Sequence, residues 1–400
     1  MTATGQQTQP YPFGPAERLD LHPLYAEYRR DRPLARVVMP YGGEAWLVTR
    51  YADIRTVLSD PRFSRAVTVG RDVPRLVPQL GEDNILAMDP PEHTRLRRLV
   101  SKAFTPRRVE QMRPNVQAMV DELLDEMIAN GAPADIAESL AWPLPVRVIC
   151  EMLGVPVADR NRFRRWVDVS LALGERTTPE EIVAAGEELR RYMAGLIAQR
   201  RAQPTDDLLG ALVVARDEQD KLSEEELLAL SVTLLAAGHE TTANQIGSHI
   251  YLLLSRPELW RSLVADPGLI PSAVEELLRF TPLGVSGGDV RVATVDVELA
   301  GGVVRAGEAV VANPASGNRD ETVFDNPDEI DLARKHNPHI AFGYGVHHCL
   351  GAPLARLELQ VVLGTLVRRL PGLRLAVPAE EVQWRTDRLV RGVTGLSVSW

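Results

Sequence analysis

The stretch from Ser223 to Ser255, "SEEELLALSVTLLAAGHETTANQIGSHIYLLLS", constrains the fold more than any other part of the chain. Its spacing predicts one helix of roughly 30 residues, about 45 Å long at 1.5 Å per residue. Ser223 and Glu226 have the spacing of a capping box at its start. A rod that long and apolar on most sides has to run through the middle of a large core. The chain has 400 residues, 45% of them hydrophobic, enough to surround it. One mainly α domain over residues 1–400, with small β-sheets, is therefore expected. At its centre the run carries "AAGHETTAN", costly polar insertions for a buried helix and a place for local unwinding. Threonines bonding back to carbonyls would explain one hydroxyl there, but not Glu240.

Around this helix the pattern stays helical in "EHTRLRRLVSKAF", "VEQMRPNVQAMVDELLDEMIANG", "PVRVICEMLGV" and "EEIVAAGEELRRYMAGLIAQRRA". "ARVVMP" and "EAWLVTRY" read as a β-hairpin joined through Gly42–Gly43. Strand signals return near Arg291 and again in the C-terminal tail. Arg65 to Asp89 has weak periodicity and several breakers, so a long mobile loop is expected there. The 45 Lys and Arg are outweighed by 54 Asp and Glu, a net charge of −9. The basic residues are scattered, which sets nucleic acid aside as a partner. No apolar run reaches the roughly 18 residues of a membrane span, and the polar N-terminus does not read as a secretion signal. Two cysteines fit a reducing compartment, and a cytoplasmic protein is expected.

Those cysteines differ in setting. Cys150 lies in an apolar helical run and reads as an inert buried thiol. Cys349 sits in "AFGYGVHHCLGAPLAR", among Gly343, Gly345 and Gly351 and just before a helix starting near Ala352. Glycines serve where the backbone must approach something flat or adopt a positive φ. Amide N–H groups and the helix start would stabilise a thiolate, with Phe342 shielding the sulfur. Such a thiolate over a glycine floor is what an axial haem ligand requires. An inert buried cysteine is one alternative. Zinc bound with His347, His348, His336 or His339 is another, although no second cysteine or carboxylate falls at ligand spacing.

"FGYGVHHCLG" resembles the haem-binding signature of the cytochrome P450 superfamily, Phe-Gly-x-Gly-x-His-x-Cys-x-Gly, at every fixed position. The likeness extends over essentially the whole chain and is strongest to soluble actinobacterial members that tailor secondary metabolites. It implies haem b with Cys349 as the iron ligand, and a cofactor-binding set of His93, Arg97, Arg291, Phe342, Gly343, His347 and Gly351. It implies a buried Glu276–Arg279 pair joined by Arg334, with Ile330 in place of the usual Phe. "AGHETT" is similar to the family's oxygen-activating motif, which makes Glu240 the acid and Thr241 the hydroxyl, with Gly238 and Ala237 leaving space above the iron. Leu234, Ala237, Val285 and Val169 are expected in the substrate pocket, with Val167, Leu171, Leu173 and Gly284 nearby. The implied function is insertion of one oxygen atom of O2 into a bulky hydrophobic small molecule, hydroxylating or epoxidising a macrolide or other polyketide. Ferredoxin and ferredoxin reductase would relay electrons from NAD(P)H to a monomer, docking on Lys102, Arg107, Arg108, Lys335 and Arg356. A peroxide-using or oxidative-coupling member, or a non-catalytic haem-based sensor, is the alternative.

Overall fold

The structure is a computed structural model that describes residues 8–14, 18–78, 84–173, 177–219, 221–284, 288, 290–385 and 388–400. Helix takes 53% of the chain, so the mainly α class expected from the sequence holds. The first part carries β1 (Gln9–Pro10), α1 (Leu24–Asp31), β2 (Leu34–Val38), β3 (Glu44–Val48), α2 (Tyr51–Ser59) and β4 (Phe63–Ser64). Then come α3 (Glu92–Ser101), α4 (Pro106–Gln111), α5 (Arg113–Asn130), β5 (Ala134–Asp135), α6 (Pro143–Leu153), α7 (Arg160–Ser170), α8 (Pro179–Ala202) and α9 (Leu208–Asp217). The expected helix from Val109 onward is thus interrupted at Met112.

The central run is two helices, α10 (Glu224–Ala237) and α11 (Glu240–Leu254), not one. Ser223 begins it as expected: its hydroxyl accepts from Glu226 N while the Glu226 carboxylate accepts from Ser223 N. The break falls at Gly238 and His239, within the polar insertion. A Cβ on Gly238 would lie 2.6 Å from Ile149, so the rod is pressed against α6 there. Thr241 Oγ1 turns back to Ala237 O at 3.1 Å, and His239 Nδ1 lies 2.8 Å from Leu235 O. These side-chain bonds occupy carbonyls at the break. Every residue of α11 except Thr241 is buried, which is the burial the sequence demanded.

α12 (Pro257–Ala265) and α13 (Ile270–Phe280) lead to β6 (Arg291–Ala293), β7 (Val297–Leu299), β8 (Gly302–Val304) and β9 (Ala309–Ala312). α14 (Pro314–Gly317) precedes the cysteine loop and α15 (Ala352–Arg369) follows it. β10 (Arg374–Leu375), β11 (Trp384–Arg385), β12 (Gly392–Val393) and β13 (Ser397–Ser399) end the chain. The larger sheet has the order β1-β2-β3-β9-β6-β4, with β2 and β3 forming the expected hairpin. Its edge matters for the site: Ser64 of β4 pairs with Val292 of β6, which sets Arg65 across from Arg291.

Of the Arg65–Asp89 segment, residues 79–83 lie outside the described residues. The Asp89 carboxylate accepts from Arg65 N at 3.0 Å and Ala66 N at 3.4 Å, and from the Ser64 hydroxyl. These bonds tie its two ends together, and a 3₁₀ turn covers Ala66–Thr68.

Candidate active site

Cys349 is held by a tight loop. Gly343 and Gly345 have φ of 73° and 72°, a region costly for other residues. A Cβ on Gly345 would also meet Leu58 O at 2.6 Å. Gly351 has an ordinary φ of −80°, so the positive-φ reason does not apply to it. Cys349 N–H donates to Phe342 O at 2.8 Å, which folds the loop under the sulfur. The thiol is exposed on one side and crowded by protein on the others. That crowding pushes its pKa up, while the N–H groups of Gly351 and Ala352, with Arg97 and Arg356, pull it down. Cys150 lacks such donors, and burial drives its pKa to about 12, an inert thiol as expected.

Beside the loop is a cationic rim. The rings of His93 and His347 lie 4.3 Å apart. Arg97 donates to His348 O, and Arg291 Nη1 donates to Phe63 O at 3.3 Å. Burial, reinforced by Arg65, His93 and Arg291, lowers the pKa of His347 to about 3. Burial and then Arg97, Arg65 and Arg291 lower that of His93. Both rings are therefore neutral near pH 7 and can donate only one N–H each. His93 Nδ1 and His347 Nε2 are buried without a hydrogen-bond partner. Arg65 belongs to this rim and was missed in the sequence, because only the β4–β6 register brings it there.

Phe342 stacks under Arg356, whose Cζ is 4.6 Å from the ring centre. Arg356 also bonds both oxygens of Glu275, at 2.8 and 2.9 Å, and His339 Nε2 lies 2.9 Å from the same carboxylate. Behind the loop, Glu276 receives Arg279 through two bonds of 2.8 Å, Arg334 at 3.0 Å and Asn337 at 3.1 Å. Arg279 further donates to the carbonyls of Asn318, Pro327 and Glu329. The three expected members are thus brought together, and the side chains of Glu276 and Arg279 are fully buried.

On the central rod, Ala237 is exposed and Thr241, one turn on, is half-buried, while His239, Glu240 and Thr242 are buried. Glu240 points the other way. Its Oε1 accepts from Asn244 Nδ2 at 3.1 Å and lies 3.6 Å from Arg385 Nη1. Burial raises its pKa, against the lowering by Arg385 and Asn244. Of the expected pocket residues, Leu234, Val169 and Leu171 are half-buried at the edge of the core. Leu173 and Gly284 are also half-buried. Val167 is 1% exposed and belongs to the core itself. Val285 lies outside the described residues. The surroundings are also more charged than the aliphatic residues suggested: Arg385 and Arg388 both bond Asp168 of α7. Residues so far apart in sequence left no local signal.

A sequence model of the family described as Cytochrome P450 matches residues 176–266 and 268–387. The nocardicin C N-oxygenase of Nocardia uniformis subsp. tsuyamanensis is 54% identical over 399 residues, 99% of this chain and 100% of that relative. The mycinamicin IV hydroxylase/epoxidase of Micromonospora griseorubida is 52% identical over 397 residues, again 99% and 100% of the two chains. The crystal structure of HinD with NMFT and NO matches with a TM-score of 0.96 at 50% identity, covering 99% of this chain and 100% of that one. Agreement of this extent shows one shared fold over essentially the whole chain. The chain therefore belongs to the cytochrome P450 family, as a monooxygenase with a haem-iron cofactor.

Proposed function

We propose that the chain hydroxylates or epoxidises a bulky, largely apolar natural product of macrolide or polyketide type. The cofactor is haem b, and residues 1–400 act as one domain. The observation that carries the site is the pairing of Cys349, under two amide N–H groups, with two unpartnered buried imidazole nitrogens beside arginines. A group with one thiolate-seeking metal and two carboxylates satisfies both halves. Cys349 ligates the iron; His93, Arg97, Arg291, His347 and Arg65 take the carboxylates; Phe342 and Gly343 shape the thiolate side. The haem iron supplies activation of dioxygen and transfer of one oxygen atom to the substrate.

The chain's own residues position the substrate and deliver protons. Ala237 and Thr241 face the substrate side, with Leu234, Val169 and Val285 adding apolar area whose burial supplies affinity. Glu240, whose pKa is raised by burial, is the acid that passes protons towards the Thr241 hydroxyl. Thr241→Ala leaves haem and substrate binding intact and diverts consumed oxygen to hydrogen peroxide. Glu240→Gln slows turnover by about 10²-fold or more, the usual worth of a positioned acid. Product formed per NAD(P)H consumed is the measurement, and unchanged coupling in both variants contradicts these roles.

Electrons arrive from a ferredoxin and its reductase, and the protein works as a cytoplasmic monomer. Lys102, Arg107, Arg108 and Lys335 are exposed and form the docking cations. Arg356, engaged with Glu275, is not a free member of that set. Reversing Arg107 and Arg108 to Glu lowers the rate of reduction steeply at low salt and little at high salt, since exposed charges act on association. A salt-independent rate would remove the patch.

The 52% relative's action on mycinamicin IV supports the macrolide reading. The 54% relative, an N-oxygenase, favours a second reading, oxidation at nitrogen. Spectral titration with macrolides and with amine-bearing natural products, followed by product analysis, separates the two. Macrolides that fail to displace the iron-bound water while a small anionic compound binds tightly would overturn the first.

A further inference from the structure

Arg385 of β11 is shared. Its Nη1 lies 3.0 Å from Asp168 Oδ1 of α7 and 3.6 Å from Glu240 Oε1 of α11. Its guanidinium is stacked on Trp142, with Cζ 4.5 Å from the ring, and Arg164 of α7 stacks on the same indole at 4.7 Å. Only 16% of the Arg385 side chain is exposed, against 3% for Glu240. The rest of the same hairpin leaves Glu240 little room to move away. A Cβ on Gly392 of β12 would lie 1.6 Å from Asn244 Oδ1, so the strand sits directly on the side chain that bonds Glu240. Arg388 adds a second guanidinium to Asp168, at 3.2 Å. Backbone bonds hold this loop to the end of α7: Leu389 N donates to Leu171 O at 3.0 Å, and Ala172 bridges Arg388.

We propose that Arg385 is a positioning residue that sets the charge state of Glu240, and that Asp168 governs it by competing for the same guanidinium. This rests on Glu240 being the acid of proton delivery. Among the described residues, the charged groups that act on Glu240 are Arg385 from β11 and Asp168 and Arg164 from α7. Arg164 is itself paired with Glu138 at 2.8 Å. His239, next in the chain, is held neutral by burial with a pKa of about 4. Burial and then Asp168 raise the Glu240 pKa, while Arg385 first, then Asn244 and Arg164, lower it. Asp168 of α7 thus reaches the acid by way of the Arg385 guanidinium that it shares with Glu240.

The two partners therefore have opposite effects, which a loosened structure would not produce. The carboxyl stretch of protonated Glu240, identified by its loss in Glu240→Gln, is followed by infrared difference spectroscopy against pH in the haem-loaded full chain. In Asp168→Asn the band disappears at lower pH than in the unchanged protein, because Arg385 is left to Glu240. In Arg385→Gln it persists to higher pH, and Arg385→Lys returns it towards the original midpoint. If Arg385→Gln does not fold, Arg388→Gln shifts the band upward as well, by leaving Asp168 stronger. Shifts in one direction for Asp168→Asn and Arg385→Gln, or no shift in either, overturn the proposal. Unimpaired turnover in Glu240→Gln with the opposed shifts intact would instead remove the relay role and leave the coupling standing.

Discussion

Cys349→His abolishes the far-red Soret band that the ferrous carbon monoxide complex shows with a thiolate ligand. Turnover falls by more than about 100-fold, the upper end of what losing a mere outer partner of a metal ligand costs. The physical reason lies in the loop, whose Gly351 and Ala352 N–H groups and nearby Arg97 and Arg356 are arranged for a negative sulfur. An imidazole carries no charge for them to stabilise, and it cannot push electron density onto the iron as a thiolate does. The rim of His93, His347 and arginines is untouched by the change, so haem can remain bound and the spectrum can be read. An imidazole-type spectrum in the unchanged protein would sink the assignment of Cys349.

Arg279→Met destabilises the fold by about 3–5 kcal/mol, the cost of leaving one partner of a buried pair uncompensated. Glu276 would keep Arg334 and Asn337, but the carbonyls of Asn318, Pro327 and Glu329 would lose their shared donor. Those carbonyls lie on the irregular stretch before the cysteine loop, so haem retention should fall together with stability. Breaking the exposed Arg190–Glu225 pair by Glu225→Gln is the contrast, with a change within about 0.5 kcal/mol. Urea unfolding of both variants checks the pair of outcomes. A cost below about 1 kcal/mol for Arg279→Met would show that the network does not organise that stretch.

Much of the local structure was legible in the sequence. The capping box at Ser223, the helix start at Ala352, the i, i+3 spacing of Glu276 and Arg279 and the glycine-flanked thiol each depend on residues a few positions apart. Their geometry follows from φ preference and helical periodicity, which neighbouring residues alone determine. The polar "AAGHETTAN" insertion also marked a place for local unwinding, and the rod divides within it, at Gly238 and His239. At that point Ile149 of α6 closes on Gly238, a contact no local pattern records. Long-range placement was decided only by tertiary structure. Arg65 joins the cationic rim through the β4–β6 register. Arg356 is taken by Glu275 rather than left for docking. Arg385 reaches Glu240 because the last hairpin packs on the central helix. Charges act through space over several ångströms, so a side chain's electrostatic partner is set by which surfaces meet, not by its place along the chain.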